Sequence, residues 1–313
     1  MRADLHVHSR HSGTLGVPFL GAIARECYSE PEQVYETARR RGMDLVTLTD
    51  HDAIEGALRL AAAHEDAFVS EEVTCTLPGG RQIHVGVYGL DERQHRRIER
   101  LRTDAEAFFA FLAEESLPAG FNHPFSALTG PRETRDLLLG LRHLSLLETR
   151  NGLLGHTVNE CARVTAKASR VASIAGSDAH TLRSVARAST EVPGARNRSD
   201  FLDGLRRGAT IPRGETGGYV RLTADVCAMF GCGYREAARL APRSPADLAR
   251  LGLTLLSLPL LPLVPVVTAA IFVQEELFAR RHLRALLGRP ASTGLRPPSQ
   301  GGLQPKLAVG AVR

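Results

Sequence analysis

Apolar positions along the chain fall into short runs that alternate with stretches of three- and four-residue period. Residues 2–8 read as a buried strand, with Leu5 and Val7 on one face and His6 and His8 on the other. A polar, glycine-containing loop covers 9–30; Pro31 then opens a helix that Gly42 stops. Leu45-Val46-Thr47-Leu48 predicts a second strand ending in Asp50-His51-Asp52, and Ala53 to Glu65 a helix. Residues 67–76 and 82–88 predict two strands joined at Pro78-Gly79-Gly80, a hairpin signal. Asp91 begins a long helix with Ile98, Leu101, Ala105, Phe108 and Leu112 on one face and charge on the other. Further strands at 117–122, 143–147 and 171–176 end in His123-Pro124-Phe125, in Glu148 and in Ser177-Asp178-Ala179-His180. A helix from about 156 to 169, a strand near 189–192 and a helix over 199–207 complete the unit. Strand and helix alternate throughout, which predicts an α/β fold with mostly parallel strands.

After about Gly218 the character changes, so the chain divides into residues 1–217, a helical appendage over 218–287 and a disordered tail over 288–313 rich in Pro, Gly, Ser and Gln. Residues 251–273 carry no charge and have the length of a membrane helix. Pro259, Pro262 and Pro265 interrupt them, and each removes a helix hydrogen bond. The run either spans a bilayer, dips in and returns as a proline-broken hairpin, or packs on the main domain as a soluble helical pair. Membrane contact of some kind is the favoured expectation.

Composition narrows this little. A hydrophobic fraction of 43% is enough for a core, and the formal net charge of +5 is carried almost wholly by Arg, since Lys occurs only at 167 and 306. The five cysteines, at 27, 75, 161, 227 and 232, form no C-x-x-C pair, which argues for reduced thiols and a cytoplasmic location. Arg2, Asp4 and His6 interrupt any apolar run at the N-terminus, so no signal peptide is expected there. With no Trp, 5% aromatic residues and no basic stripe, no stable nucleic-acid partner is expected.

The chemistry gathers at predicted strand ends, where barrel-like α/β folds place function. Those ends supply His6, His8, His51, Glu72, His123, Glu148, Asp178 and His180, with His84 from the hairpin. Imidazole with carboxylate and no thiolate suits zinc, iron or manganese in a catalytic site. A carboxylate can bridge two such ions, an arrangement that serves phosphoester hydrolysis. Arg10, Arg150 and Arg183 lie beside the motifs as candidate phosphate ligands, although a solvated or structural role is the better reading of any one of them.

In order, the segments D-L-H-V-H-S, T-D-H-D, E-V-T, I-H-V-G-V-Y-G, N-H-P-F, L-E-T-R-N-G and G-S-D-A-H, within residues 1–215, resemble the PHP (polymerase and histidinol phosphatase) domain. The resemblance implies a distorted (β/α)7 barrel holding two or three divalent ions (Mn, Zn or Fe), with the C-terminal helical appendage outside it. It implies that His6, His8, Glu72 and Asp178 hold one ion, that Glu72 bridges to a second completed by His84 and His123, and that His51 and His180 hold a third. Glu72 is preferred to Glu71 because Val73-Thr74 follows it, and the two cannot face the same way on a strand. The chain departs from the family at Ser12-Gly13, where an acidic residue or His commonly completes the third site; His11 is a candidate substitute. Glu148 is expected to orient a ligand histidine, and Asp50, Asp178 or a histidine such as His180 to shuttle protons.

The implied activity is hydrolysis of a phosphorylated small molecule or nucleotide by a phosphatase or phosphodiesterase. Histidinol phosphatase is the alternative with the same chemistry. A membrane-associated binding or regulatory protein with a structural metal site is the alternative from another class.

Overall fold

The computed structural model describes residues 1–13, 25–239 and 245–288. The main unit runs β1 (Arg2–Ala3), α1 (Pro31–Arg40), α2 (Glu55–Ala63), β2 (Ser70–Thr76), β3 (Gln82–Tyr88), α3 (Glu92–Leu101) and α4 (Ala105–Glu114). It continues through β4 (Ala119–Phe121), α5 (Thr134–His143), β5 (Leu146–Asn151), α6 (His156–Ser169), β6 (Ala172–Gly176), β7 (Ala188–Glu191), α7 (Arg198–Arg206) and β8 (Ile211–Gly214). Three helices follow: α8 (Tyr219–Arg239), α9 (Pro245–Leu256) and α10 (Val264–Leu287). All five cysteines are free thiols.

The expected α/β class holds, in a mixed rather than mostly parallel form. A five-stranded sheet has the order β2-β3-β4-β5-β6. Its first two pairings are antiparallel and its last two parallel. The β2–β3 turn is made by Gly79 and Gly80, whose φ of 92° and 80° lie where a side chain is strained. A second sheet, β1-β7-β8, is antiparallel throughout. Phe108, Phe121, Leu137 and Leu147 are among the buried side chains joining the large sheet to the helices that cover it.

No closed barrel is found among the described residues. Of the strands expected over 2–8 and 44–49, only Arg2–Ala3 joins a ladder, with β7; the rest are extended segments that isolated bridges tie to the large sheet. Val46 pairs with Ala67 and His51 with Glu72 on the β2 side; Val7 pairs with Ala179 beyond β6. The Thr49 N–H donates to the Val7 carbonyl at 2.9 Å. Polar side chains take the donors a regular ladder would use. The His6 N–H goes to Asp4, the Val7 N–H to Thr49 Oγ1 and the Ser9 N–H to Asp50.

The long helix expected from Asp91 is two helices. The Asp104 carboxylate caps α4 by accepting the Ala107 N–H, and the Arg102 carbonyl turns away to accept the Thr76 N–H of β2. Two elements were not expected: α5 and β8.

The apolar run 251–273 is not one helix. Pro259 and Pro262 sit in a 3-10 turn, Leu258–Leu263, between α9 and α10, and Pro265 lies in the first turn of α10. Residues Leu258–Leu287 are long and apolar enough to cross a membrane by length and composition. Yet α10 also buries Thr268, Glu275, Ala279, His282 and Leu286. The tail expected over 288–313 lies, past Gly288, outside the described residues.

Candidate metal centre

Strand alternation settles the two glutamates of β2. Glu71 faces His95, whose Nδ1 lies 2.8 Å from its carboxylate, and Glu72 faces the opposite side. There Glu72 is fully buried among five imidazoles. Its Oε2 lies 3.1 Å from His6 Nε2, 3.3 Å from His51 Nδ1 and 3.5 Å from His8 Nε2. Its Oε1 lies 3.1 Å from His123 Nε2 and 3.4 Å from His84 Nδ1, and accepts from Asn122 Nδ2 at 2.9 Å. Asp178 Oδ1 approaches both His6 and His8 Nε2 at 3.5 Å. Its other oxygen accepts from Asn151 Nδ2 at 3.0 Å.

The imidazoles are aimed from behind. His6 Nδ1 lies 2.9 Å from Glu148 Oε1, so an N–H there turns Nε2 toward Glu72. The other Glu148 oxygen accepts the His123 backbone N–H at 2.8 Å. Behind His8, the Ser12 hydroxyl donates to Asp50 at 2.9 Å and therefore accepts from His8 Nδ1, also at 2.9 Å. His180 Nδ1 donates to the Asp178 carbonyl at 3.0 Å. Asp50, expected among the proton carriers, is thus placed behind His8, with both oxygens on Ser9 and Ser12.

Glu26 was missed from sequence. Its Oε1 lies 3.3 Å from His51 Nε2 and 3.4 Å from His180 Nε2. Glu26 lies 13 residues beyond Gly13, outside every motif, and only the folded chain brings it to these two imidazoles. His11, the expected substitute, sits in the 3-10 turn Arg10–Ser12, outside every cluster of close donor atoms.

Two of the ring-bearing loops are strained. His123 and Asp178 have φ of 27° and 51°, a region that costs a non-glycine residue about 1–3 kcal/mol. Close approach matters too: a Cβ on Gly176 would fall 2.6 Å from the His6 backbone nitrogen, so only glycine lets the His6 segment lie against β6.

The donor set fits divalent cations. Four groups have ligand atoms within 4.8 Å of one another: His6, His8 and Glu72; His6, His123 and Asp178; His51, Glu72 and His84; His8, His51 and His180. His8 Nε2, His84 Nδ1 and His123 Nδ1 are buried without a hydrogen-bond partner, a costly state for a polar atom unless something else occupies it. The charges agree. Burial, helped by nearby His180, pushes His8 down to about 3, and burial outweighs Glu72 to bring His84 to about 4, so both offer free lone pairs at neutral pH. At His6 and His51 burial is overcome by Glu72 and neighbouring carboxylates; His6 rises well above its usual value and His51 reaches about 9. Glu72 and Asp178 are held well below the carboxylate range, the imidazoles outweighing the cost of burial.

The candidate phosphate ligands lie differently. Arg10 pairs with Glu30 and Arg150 donates to the Gly214 carbonyl at 2.7 Å, while Arg183 is exposed. Among the described residues none of the three contacts the cage.

Fold and site together define an α/β protein built round a buried histidine–carboxylate cage suited to divalent cations. Residues 156–210, which carry Asp178 and His180, match the family described as PHP-associated. An uncharacterized protein of Methanocaldococcus jannaschii is 34% identical over 58 residues, 18% of this chain; the chain spans 33% of that relative's length. The crystal structure of PsfC from Pseudomonas syringae PB-5123 shares the fold, with a TM-score of 0.52 at 17% identity over 76% of this chain and 98% of that one. A putative metal-dependent phosphoesterase from Bifidobacterium adolescentis is also similar, at 15% identity over 57% of this chain and 88% of that one. Its TM-score is 0.41.

Proposed function

We propose that the chain is a metal-dependent phosphoester hydrolase acting on a phosphorylated small molecule or nucleotide. The observation that carries this is Glu72, a fully buried carboxylate faced from both oxygens by five imidazoles, with Asp178 and Glu26 closing the same cage. His6, His8, Glu72 and Asp178 would hold one ion, Glu72, His84 and His123 a second, and Glu26, His51 and His180 a third. Manganese, zinc or iron there would lower the pKa of a bound water and neutralise charge growing on phosphoryl oxygens. The protein's part is orientation. Glu148, Ser12 with Asp50, and the Asp178 carbonyl fix the rings of His6, His8 and His180, which keeps catalytic distances short without reorganisation. With Nδ1 on the Asp178 carbonyl and Nε2 turned to the third ion, His180 would serve as a ligand and not as a proton carrier. The bridges at Val7, Val46 and His51 support a distorted (β/α)7 barrel over residues 1–217 as the scaffold. Histidinol phosphate is one candidate substrate within this class.

With manganese or zinc the purified chain is expected to hydrolyse an aryl phosphate, and His8→Ala or Asp178→Ala to lower turnover by roughly a thousandfold, the several kcal/mol a metal site supplies. Equal, negligible turnover by all three proteins over a broad metal and substrate screen would leave the binding-protein reading standing instead.

Contact of residues 251–273 with a bilayer, for an otherwise cytoplasmic protein, belongs to the same reading. Leu256 and Leu260 are 74% and 57% exposed, and Val266, Val273 and Leu277 continue an aliphatic outer face toward Arg280, Arg281 and Arg284. Aliphatic surface with a basic rim suits the headgroup boundary of anionic lipid. The full chain is expected to float with vesicles containing anionic lipid, and the double substitution Leu256→Asp, Leu260→Asp to leave it in the soluble fraction. Wild type that never floats overturns the contact.

A further inference from the structure

The inner side of the C-terminal helices is acidic, and its carboxylates end on the loops that carry the cage. Asp225 of α8 is 4% exposed; it accepts from Thr181 Oγ1 at 3.1 Å and from Ser184 Oγ at 2.6 Å. Thr181 directly follows His180. Glu275 of α10, equally buried, accepts the Ala127 backbone N–H at 2.8 Å and also bonds Ser126, in the loop that begins at His123. Glu236, near the end of α8, lies 3.6 Å from Arg25 and 3.8 Å from Arg10, the first adjoining Glu26 and the second following His8-Ser9.

Glu72 and His84 need no such help, because the β2–β3 ladder holds their backbones. His123, Asp178, His180 and Glu26 lie outside every ladder, and two of them have left-handed backbones that relax unless their surroundings prevent it. Mere packing would be met more cheaply by apolar side chains, since burying a carboxylate is costly unless its hydrogen bonds are made. Hydrogen bonds accepted by carboxylate oxygens are directional, so they set the register of a loop and not only its proximity.

We infer that α8 and α10 are a working part of the metal centre: Asp225, Glu275 and Glu236 are positioning residues that hold the loops of His180, His123 and Glu26 where a cation needs them. The inference rests on the cage binding metal. It makes the appendage inseparable from the site, and it gives whatever binds the outer face of α10 a direct connection to His123.

The test uses the full chain with Asp225→Ala and Glu275→Ala, each beside its conservative counterpart, Asp225→Asn and Glu275→Gln, which keeps an acceptor oxygen. In metal-free protein, Asp225→Ala is expected to speed amide exchange over 178–186 and leave 123–130 unchanged, and Glu275→Ala to do the reverse. Cobalt titration, followed by the visible absorption of the bound ion, is expected to show affinity about tenfold or more weaker in the alanine variants. Affinity returns in the conservative ones. Should the alanine variants fail to fold, the double substitution Thr181→Val, Ser184→Ala removes both Asp225 contacts from the other side and is expected to give the same signature. Exchange unchanged in both loops, or raised equally throughout the chain, overturns the inference, as does an unaltered cobalt spectrum and affinity. Wild type that takes up no cobalt removes the metal reading and the inference with it, whereas uptake that no variant alters removes the inference alone.

Discussion

Glu72→Gln is expected to strip the cage of its cations and leave the fold in place. Glutamine is nearly isosteric, and its amide oxygen still accepts from Asn122, so little packing is lost. What goes is the charge at the one point shared by His6, His8 and His51 on one oxygen and His84 and His123 on the other. A bridging carboxylate contributes to two ions at once, so its loss reaches further than that of any single imidazole. Metal analysis after dialysis should find at least two fewer ions per chain than wild type, and phosphoester turnover should fall by roughly a thousandfold or more. Retention of the full complement of ions by a folded Glu72→Gln protein would mean that the carboxylate is a structural acceptor for histidines and that the cations, if any, lie elsewhere.

Metal affinity is expected to climb steeply as pH rises from neutrality to about 9. In the metal-free chain His51 is raised to about 9, burial being outweighed by Glu72 and Glu26, and His6 is raised well above its usual value. Both are therefore protonated at pH 7 and must give up a proton to accept a cation. Each displaced proton contributes about a tenfold gain in affinity per pH unit. His8 and His84, lowered to about 3 and about 4, are already neutral and add nothing over this range. The sign for stability is opposite. A histidine whose folded value is raised stabilises the metal-free protein fully below the unfolded value near 6.5, and that contribution is lost as pH rises through about 9. Metal-free protein should thus lose thermal stability from pH 6.5 to 9 as metal-loaded protein gains relative to it. Calorimetric metal titrations in two buffers of different ionisation enthalpy count the released protons directly. Uptake at pH 7 without proton release would show that His6 and His51 are not displaced and so do not ligate.

Most of the cage was legible because a strand's two-residue alternation is a local property. His6 and His8 share a face for that reason and Glu71 and Glu72 cannot, although it was the family pattern, through Val73-Thr74, that favoured Glu72. The hairpin of β2 and β3 was equally plain, since Gly79 and Gly80 mark the turn wherever it is met. Periodicity misled where a polar residue ended an element before its pattern did, as Asp104 does between α3 and α4. It also could not show that beyond Ala3 the first segment gives its N–H groups to Asp4, Thr49 and Asp50 in place of a ladder.

Residue type and short spacing alone determined that imidazoles and carboxylates would meet at strand ends, because the backbone dictates which side chains share a face over a few residues. Three things were left to the tertiary structure: that Glu26 stands between His51 and His180, that Asp225 and Glu275 reach back to the loops of His180 and His123, and that the proline-rich run breaks into two helices with an aliphatic outer face. Those pairings join positions 25 to more than 150 residues apart, and their distance depends on how the sheet and helices pack, which no local rule of sequence encodes.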